Sequence, residues 1–185
     1  MLRDVLFALW FFLPAALANM IPILAARWPG LRVWDTPIDG GRTFQGRRIF
    51  GSHKTWRGLV TGMVMATITL ALQQIAIVHW QWAQDLTSQV DYRHLPTLAV
   101  GMLFGFGAIA GDAIESFFKR RRDIAPGHGW FPFDQIDYIV GASIATAPFI
   151  VLTMMQYIWL IILWLVVHIV ASYIGYLLGL KERPI

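Results

Sequence analysis

A long run without charge does most to limit how this chain can fold. From Tyr138 to Leu180 the sequence contains no Asp, Glu, Lys or Arg. A membrane-spanning helix needs about 20 consecutive apolar residues, and this run is roughly twice as long. The run therefore predicts two successive membrane helices, with a tight turn near Gln156 and Tyr157 and a kink at Pro148 in the first of them.

Three more apolar segments precede this run. The predicted spans cover about residues 5–26, 58–78, 95–118, 136–156 and 158–180. The composition agrees, because 57% of the 185 residues are hydrophobic and 14% are charged, whereas soluble domains carry about 25% charged residues. The predicted fold class is an all-α integral membrane protein with five transmembrane helices, forming a single membrane domain over residues 1–185.

The basic residues predict how these spans are oriented. The loops 27–57 and 119–135 and the segment Lys181–Arg183 together hold 13 of the 15 Lys and Arg residues. Cytoplasmic loops of membrane proteins are enriched in these residues, and five spans place all three segments on one side. We therefore expect an N-terminus outside, a C-terminus in the cytoplasm and a multi-pass protein of the cell membrane. The net charge of +4 then requires no nucleic acid, and no protein partner is indicated.

Glycines four residues apart recur in the predicted spans. Such pairs let the backbones of two membrane helices approach closely, since no side chain separates them. The pairs are Gly58/Gly62, Gly101/Gly105, Gly107/Gly111 and Gly175/Gly179. We interpret them as positions of helix packing and not as nucleotide-binding loops.

Charge returns in one stretch, Gly111–Asp137, between the third and fourth spans. Asp112 shares a helix face with Glu115, Ser116 and Lys119, and Asp134 shares one with Asp137 at the start of the next helix. Carboxylates that converge repel each other unless a cation lies between them, and Mg²⁺ binds carboxylates together with substrate phosphates. The basic run Lys119–Arg122 would balance further phosphate charge. This combination is typical of phosphoryl or nucleotidyl transfer.

Simpler explanations fit the same residues. Asp134 and Asp137 have the spacing of a near capping box at the start of a helix, and the basic run can mark a cytoplasmic loop. The first loop is equally open to two interpretations. Its glycines free the backbone to bind phosphate, but a solvated cytoplasmic loop has the same composition. A Walker A loop is rejected, because no strand and no soluble α/β core surround these glycines.

Two segments of the chain resemble the phosphatidate cytidylyltransferases, also called CDP-diacylglycerol synthases. The first segment is Gly51-Ser52-x-Lys54-Thr55-Trp56-x-Gly58. The second contains Gly111-Asp112, Glu115-Ser116, Lys119-Arg120, Asp123, Pro126-Gly127-His128-Gly129 and Asp134-x-x-Asp137. Three departures stand out: Gln135 replaces an arginine, Arg57 replaces a glutamate, and extra residues precede Asp134. Together with the five-span size, these departures resemble the archaeal counterparts of that family, the CDP-archaeol synthases.

This resemblance implies Mg²⁺-dependent transfer of a cytidylyl group from CTP to an isoprenoid ether-lipid phosphate, unsaturated archaetidic acid. The products would be CDP-archaeol and pyrophosphate, and the isoprenoid chains would lie in a groove between spans. The implied metal ligands are Asp112, Asp134, Asp137 and Asp123. The implied groups for the phosphates of CTP are Gly51, Lys54, Thr55, Arg57, Lys119 and Arg120. The implied catalytic set is Asp112, Lys119, Asp134 and Asp137.

Other functions fit parts of this pattern. The nearest is a CDP-diacylglycerol synthase that acts on an ester lipid, and another is a CTP-dependent polyprenol kinase. A small channel or transporter would place Asp112 in a pore, but it gives the carboxylates and cations of the cytoplasmic side no role.

Overall fold

Helices form nearly all of the regular structure. The computed structural model describes residues 2–125, 128–177 and 179. In these residues the helices are α1 Leu2–Ala25, α2 Trp56–His79, α3 Gln81–Thr87, α4 Thr97–Arg121, α5 Phe133–Thr146 and α6 Met154–Leu177. Short 3-10 turns cover Pro29–Trp34 and Tyr92–His94. The first loop also contains an antiparallel hairpin, β1 Thr43–Phe44 and β2 Arg47–Arg48, which the all-α prediction did not include.

Four of these helices, α1, α2, α4 and α6, are long and apolar enough to cross a membrane. The prediction of an all-helical, multi-pass membrane protein is thereby confirmed. Helix α5 has 14 residues, so its length is about 21 Å, less than the ~30 Å of a bilayer core. The fifth span and the orientation of the termini therefore remain predictions. The basic segment Lys181–Arg183 lies outside the described residues.

The turn between the last two helices lies earlier than predicted. Helix α5 ends at Thr146, and residues 147–153 lead into α6. Pro148 has no N–H group to continue the helix, so it ends α5 and does not kink a longer span. Gln156 lies inside α6, where its side chain accepts a bond from the Thr153 amide (2.8 Å), and the Thr153 hydroxyl accepts one from the Gln156 amide (3.3 Å). This capping box starts α6, and it explains why the turn is not at Gln156.

Three of the predicted glycine pairs, Gly58/Gly62, Gly101/Gly105 and Gly107/Gly111, lie where helices meet, whereas Gly179 of the fourth pair lies beyond the end of α6 with nothing within 4 Å of its Cβ position. A Cβ atom placed on Gly101 would lie 2.5 Å from the Thr67 Cα, and one on Gly105 would lie 2.5 Å from the Met63 Cα. These contacts fix α4 against α2. On another face of α4, Gly107 and Gly111 lie against Gly141 of α5 with equally little space. Since real Cβ atoms do not come this close to a backbone, the helices reach this spacing only with glycine.

The core lies around α1, which contacts α2, α4, α5 and α6. Phe12 and Phe104 are almost completely buried, and Trp164 of α6 donates a hydrogen bond to the Ala8 carbonyl (3.0 Å). The C-terminal end of α4 and the N-terminal ends of α2 and α5 then meet at one edge of the bundle, as the ion pairs between Lys54 and Asp112 and between Lys119 and Asp134 require. The charged side chains of Lys54, Asp112, Lys119 and Asp134 thus lie at this edge.

Candidate active site

Three carboxylates converge where α4 packs against α5. Asp112 and Glu115 belong to α4, and Asp137 belongs to α5. One oxygen atom from each side chain lies within 4.8 Å of the others. The three-residue spacing places Asp112 and Glu115 on one helix face. The glycine contact brings Asp137 to that face, because Gly111 lies directly against the Asp137 backbone.

The surroundings of Glu115 suit a divalent cation. The Glu115 residue is 6% exposed, and among the described residues its Oε1 atom has no hydrogen-bond partner. The nearest cation is the Lys119 ammonium, at 3.5 Å. A buried carboxylate oxygen without a hydrogen bond is costly, and two further carboxylates lie beside it. Hard oxygen ligands in this arrangement fit Mg²⁺ or a similar divalent ion.

Two lysines neutralise carboxylates at the same edge. The Lys54 ammonium lies 2.6 Å from the Asp112 carboxylate, so the first loop reaches α4. The Lys119 ammonium lies 2.6 Å from the Asp134 carboxylate, which also accepts a hydrogen bond from the Trp130 amide (2.6 Å). In this structure Asp134 is thus held by a lysine, while Glu115 completes the carboxylate cluster.

The metal ligands predicted from the sequence do not include Glu115, although its spacing from Asp112 indicated it. Its position three residues after Asp112 already places it on the predicted face. The motif-based assignment favoured Asp134 because that residue belongs to the matching Asp-x-x-Asp pattern. Which of these two carboxylates joins the cluster depends on the packing of the helices, which the sequence pattern does not show.

Two residues of the first loop predicted to bind phosphate have structural partners. The Thr55 hydroxyl caps α2 by accepting a bond from the Gly58 amide (3.2 Å). The buried Arg57 guanidinium lies 2.9 Å from the Asp35 carboxylate. The backbone of Lys54 accepts a bond from the Ile38 amide (2.7 Å). Together these contacts hold the Lys54 side chain toward Asp112.

A basic cleft of about 370 Å³ lies between the first loop and the C-terminal end of α4. It brings together Gly51 and Arg120, both predicted to bind phosphate, and its other walls are Arg47, Arg48, Ser52, Asp123 and Ile124. Within the described part of the chain, the buried Nε atom of Arg120 has no hydrogen-bond partner. The cleft therefore offers cationic donors to an anionic ligand.

Asp123 lies in this cleft and not with the other carboxylates. It pairs with Arg47 at 2.8 Å, and its side chain is 76% exposed. The structure therefore does not bring this predicted metal ligand to Asp112 and Asp137. The following Pro126 and Gly127 of the matching motif lie outside the described residues.

The glycine-rich loop directs its amides inward. The N–H groups of Gly41, Phe50 and Gly51 donate to the buried carboxylate of Asp39, at 3.0 to 3.1 Å. In one of the two interpretations of this loop such amides would bind phosphate, but here an internal carboxylate occupies them. Gly51 thus lines the cleft with its N–H group already bonded.

The chain is similar to known proteins over its whole length. A family model described as "CarS-like: CDP-archaeol synthase" matches residues 1–185. A CDP-archaeol synthase of Thermococcus onnurineus is 36% identical over 184 residues, which covers 99% of this chain and 98% of that protein. A CDP-archaeol synthase of Methanospirillum hungatei is 36% identical over 155 residues, covering 80% of this chain and 89% of the relative.

A solved structure has the same fold. It is described as "Structural insight into an intramembrane enzyme for archaeal membrane lipids biosynthesis", with a TM-score of 0.70 and 26% identity. The alignment covers 91% of this chain and 94% of that one. With the match to the family model, these similarities confirm the family indicated by the motifs around Lys54 and Asp112. The chain belongs to the CDP-archaeol synthase family.

Proposed function

We propose that the protein is a CTP-dependent cytidylyltransferase that makes CDP-archaeol and pyrophosphate from CTP and unsaturated archaetidic acid. Membership of the CDP-archaeol synthase family supports this activity. The observation that carries the proposal is the convergence of Asp112, Glu115 and Asp137 beside Lys54 and Lys119 at the end of apolar helices. Charge in this position suits a reaction between a soluble nucleotide and a lipid headgroup.

In this reaction a phosphate oxygen of the lipid forms a bond to the α-phosphorus of CTP. The bond between that phosphorus and the oxygen bridging to the β-phosphate breaks, and pyrophosphate leaves with the electron pair. The attacking phosphate is already anionic, so the step needs no strong base. The residues mainly position the two phosphates and offset their charge, as is usual in phosphoryl transfer.

The carboxylate cluster would hold the divalent ion, which we infer to be Mg²⁺. Asp112, Glu115 and Asp137 supply the converging oxygen atoms, with Asp134 as a further ligand if Lys119 releases it. When bound, such an ion reduces the repulsion between phosphates and polarises the phosphorus that is attacked. Asp123 is better assigned to the cleft, where it orients Arg47.

The basic residues would hold the triphosphate of CTP. Lys54 and Lys119 lie against the carboxylates, so they are placed near the reacting phosphate and the leaving group. Arg120 lines the basic cleft, where its guanidinium would suit the terminal phosphates. Thr55 and Arg57 act by fixing the loop that carries Lys54.

The isoprenoid tails of the lipid would lie along α5, the helix that carries Asp137. An apolar groove of about 270 Å³ runs between α5 and α6, lined by Ile139, Val140, Ile144, Tyr157 and Ile161 among others. Val140 and Ile144 of this groove follow Asp137 by three and seven residues, which places them toward the same side of α5. A lipid with its headgroup at the carboxylates would therefore have its tails near this groove. The predicted cytoplasmic orientation would give the site access to CTP from the cytoplasm of the cell.

The decisive experiment supplies the purified protein with CTP, Mg²⁺ and one lipid phosphate at a time. With unsaturated archaetidic acid, α-labelled CTP should label the lipid, and γ-labelled CTP should release labelled pyrophosphate. Transfer of the γ-label to the lipid would instead show a kinase. Equal or better turnover of a diacyl phosphate would favour the ester-lipid enzyme.

The site is tested by single substitutions in the same assay. Asp112→Asn and Asp137→Asn should each lower kcat by at least about 100-fold, because each removes a charged ligand from the cluster. EDTA should abolish activity and Mg²⁺ should restore it. The control Asp91→Asn changes an exposed acid that pairs with His94 in another loop and should keep full activity. Full activity of both cluster variants would refute the metal assignment.

A further inference from the structure

Asp39 is a buried acid that the assigned site does not use. Its side chain has no exposed surface. It accepts hydrogen bonds from the Gly41, Phe50 and Gly51 amides, and from the Nη2 (2.7 Å) and Nε (3.3 Å) atoms of Arg48. Burial acts to raise the pKa of Asp39, but the bonds from Arg48 and the amides outweigh it and hold the pKa well below its usual range. The carboxylate is therefore charged at neutral pH.

These bonds fix one side of the basic cleft. Asp39 binds the Nε–Nη2 edge of the Arg48 guanidinium, and the Arg48 side chain, 36% exposed, lines the cleft. A long arginine side chain loses rotational freedom when it binds a ligand. An arginine held by a carboxylate has already lost much of that freedom, so less is lost on binding.

The same loop is attached to the end of α4, where Lys119 and Arg120 lie. Arg121 donates to the backbone carbonyls of Arg48 (3.2 Å) and Ile49 (3.3 Å). In return Arg47 donates to the Arg121 carbonyl (2.6 Å). The position of the Arg48 backbone is thus set from α4, and the direction of its side chain is set by Asp39.

We propose that Arg48 binds the phosphate chain of CTP and that Asp39 is the positioning residue that holds Arg48 in the binding orientation. This inference rests on the proposed function, because it names further residues for the same nucleotide. Asp39 itself is enclosed by the loop and does not contact the substrate. Its effect should therefore appear in the affinity for CTP and not in the rate of the chemical step.

The test measures kcat, the KM for CTP and the Kd for CTP in the absence of lipid. Asp39→Asn keeps the shape of the side chain but removes its charge and places an amide among donors. We expect KM and Kd for CTP to rise roughly tenfold or more, the size of one charge-assisted hydrogen bond. kcat should stay within about threefold, and the KM for the lipid should not change.

A double substitution separates positioning from a general effect on folding. If Asp39 acts through Arg48, Arg48→Gln alone should raise the KM for CTP at least as much. Asp39→Asn added to Arg48→Gln should then raise it little further, whereas independent effects would multiply. If Asp39→Asn fails to fold, the Arg48→Gln variant still decides, since an unchanged KM there overturns the inference. Multiplying effects in the double variant would also overturn it.

The failure of this inference differs from the failure of the proposed function. A wild-type protein that neither binds nor turns over CTP would refute the proposed function and the inference with it. An active wild-type protein with unchanged CTP affinity in Arg48→Gln would refute the inference alone. The Asp91→Asn control should leave kcat, KM and Kd unchanged. Asp91 pairs with His94 in the loop before α4, whereas the cleft lies at the C-terminal end of that helix.

Discussion

The close packing of Gly111 in α4 against the Asp137 backbone in α5 predicts that a small substitution at Gly111 lowers activity. In Gly111→Ala the added methyl group would overlap the Asp137 carbonyl oxygen and would lie 2.9 Å from the carbonyl carbon. It would also lie 3.3 Å from the Gly141 Cα. Since carbon atoms in contact prefer about 3.5–4.0 Å, the two helices must separate by roughly 1 Å at the carboxylate cluster.

Separating the two helices affects both the stability of the protein and its catalytic rate, and the two effects differ in size. Overpacking a tight contact costs about 1–3 kcal/mol, while replacing glycine by alanine inside a helix recovers about 1 kcal/mol. The net loss of stability is therefore modest, about 0–2 kcal/mol. In contrast, misplacing a reacting group by about 1 Å can lower the rate about 100-fold. We expect Gly111→Ala to lower kcat by about that factor while the protein remains folded.

The assay compares kcat with the melting temperature for this variant and for two others. Gly141→Ala makes the same contact from α5, since its methyl group would lie 2.9 Å from the Gly111 Cα, and it should have a similar effect. Gly30→Ala is the control, because its nearest neighbours are Trp28 side-chain atoms at 3.9 and 4.0 Å. If Gly111→Ala kept kcat within threefold of the wild type, the glycine contact would not be what places Asp137.

Three further predictions address ligands, topology and helix capping. Glu115→Gln should weaken Mn²⁺ binding, followed by electron paramagnetic resonance, at least tenfold, because it removes a buried charged oxygen from the cluster; unchanged binding would exclude it as a ligand. Val90→Cys in this otherwise cysteine-free chain should react with an impermeant thiol reagent from outside the cell only, and labelling from the cytoplasm would reverse the orientation. Thr153→Ala should lower stability by about 1 kcal/mol through loss of the α6 capping box, whereas Thr97→Ala keeps that box and should leave α6 unaffected.

The sequence predicted the membrane class and the positions of the long helices because both depend on local properties. Apolar length marks a span, and the Gly101/Gly105 spacing marks a contact whatever its partner. The start of α6 was not predicted because the capping box of Thr153 and Gln156 lies inside a charge-free run. Hydrophobicity is uniform along that run, so it does not indicate where a helix begins. The hairpin was missed because its strands have two residues each and are fixed by contacts with α4.

The candidate site was predictable in its charges but not in their pairing. The helix spacing placed Asp112 and Glu115 together, and the resemblance indicated Lys54 and Asp137. Which carboxylate a lysine neutralises depends on distances between elements. The sequence indicated no carboxylate partner for Lys119, and packing places Asp134 at 2.6 Å and Glu115 at 3.5 Å from its ammonium.

In this chain two separate segments, the first loop and the end of α4, contribute to one small candidate site. The bundle can bury carboxylates only where cations compensate them, since a buried charge without a partner is strongly unfavourable. Helix α4 supplies Lys119 for this purpose, but Asp112 takes its cation, Lys54, from the first loop. That loop is in turn ordered by Asp39 and attached to α4 through Arg121. The candidate site is therefore held together by charge pairing between the first loop and the end of α4, and we expect a change in either segment to shift the carboxylates.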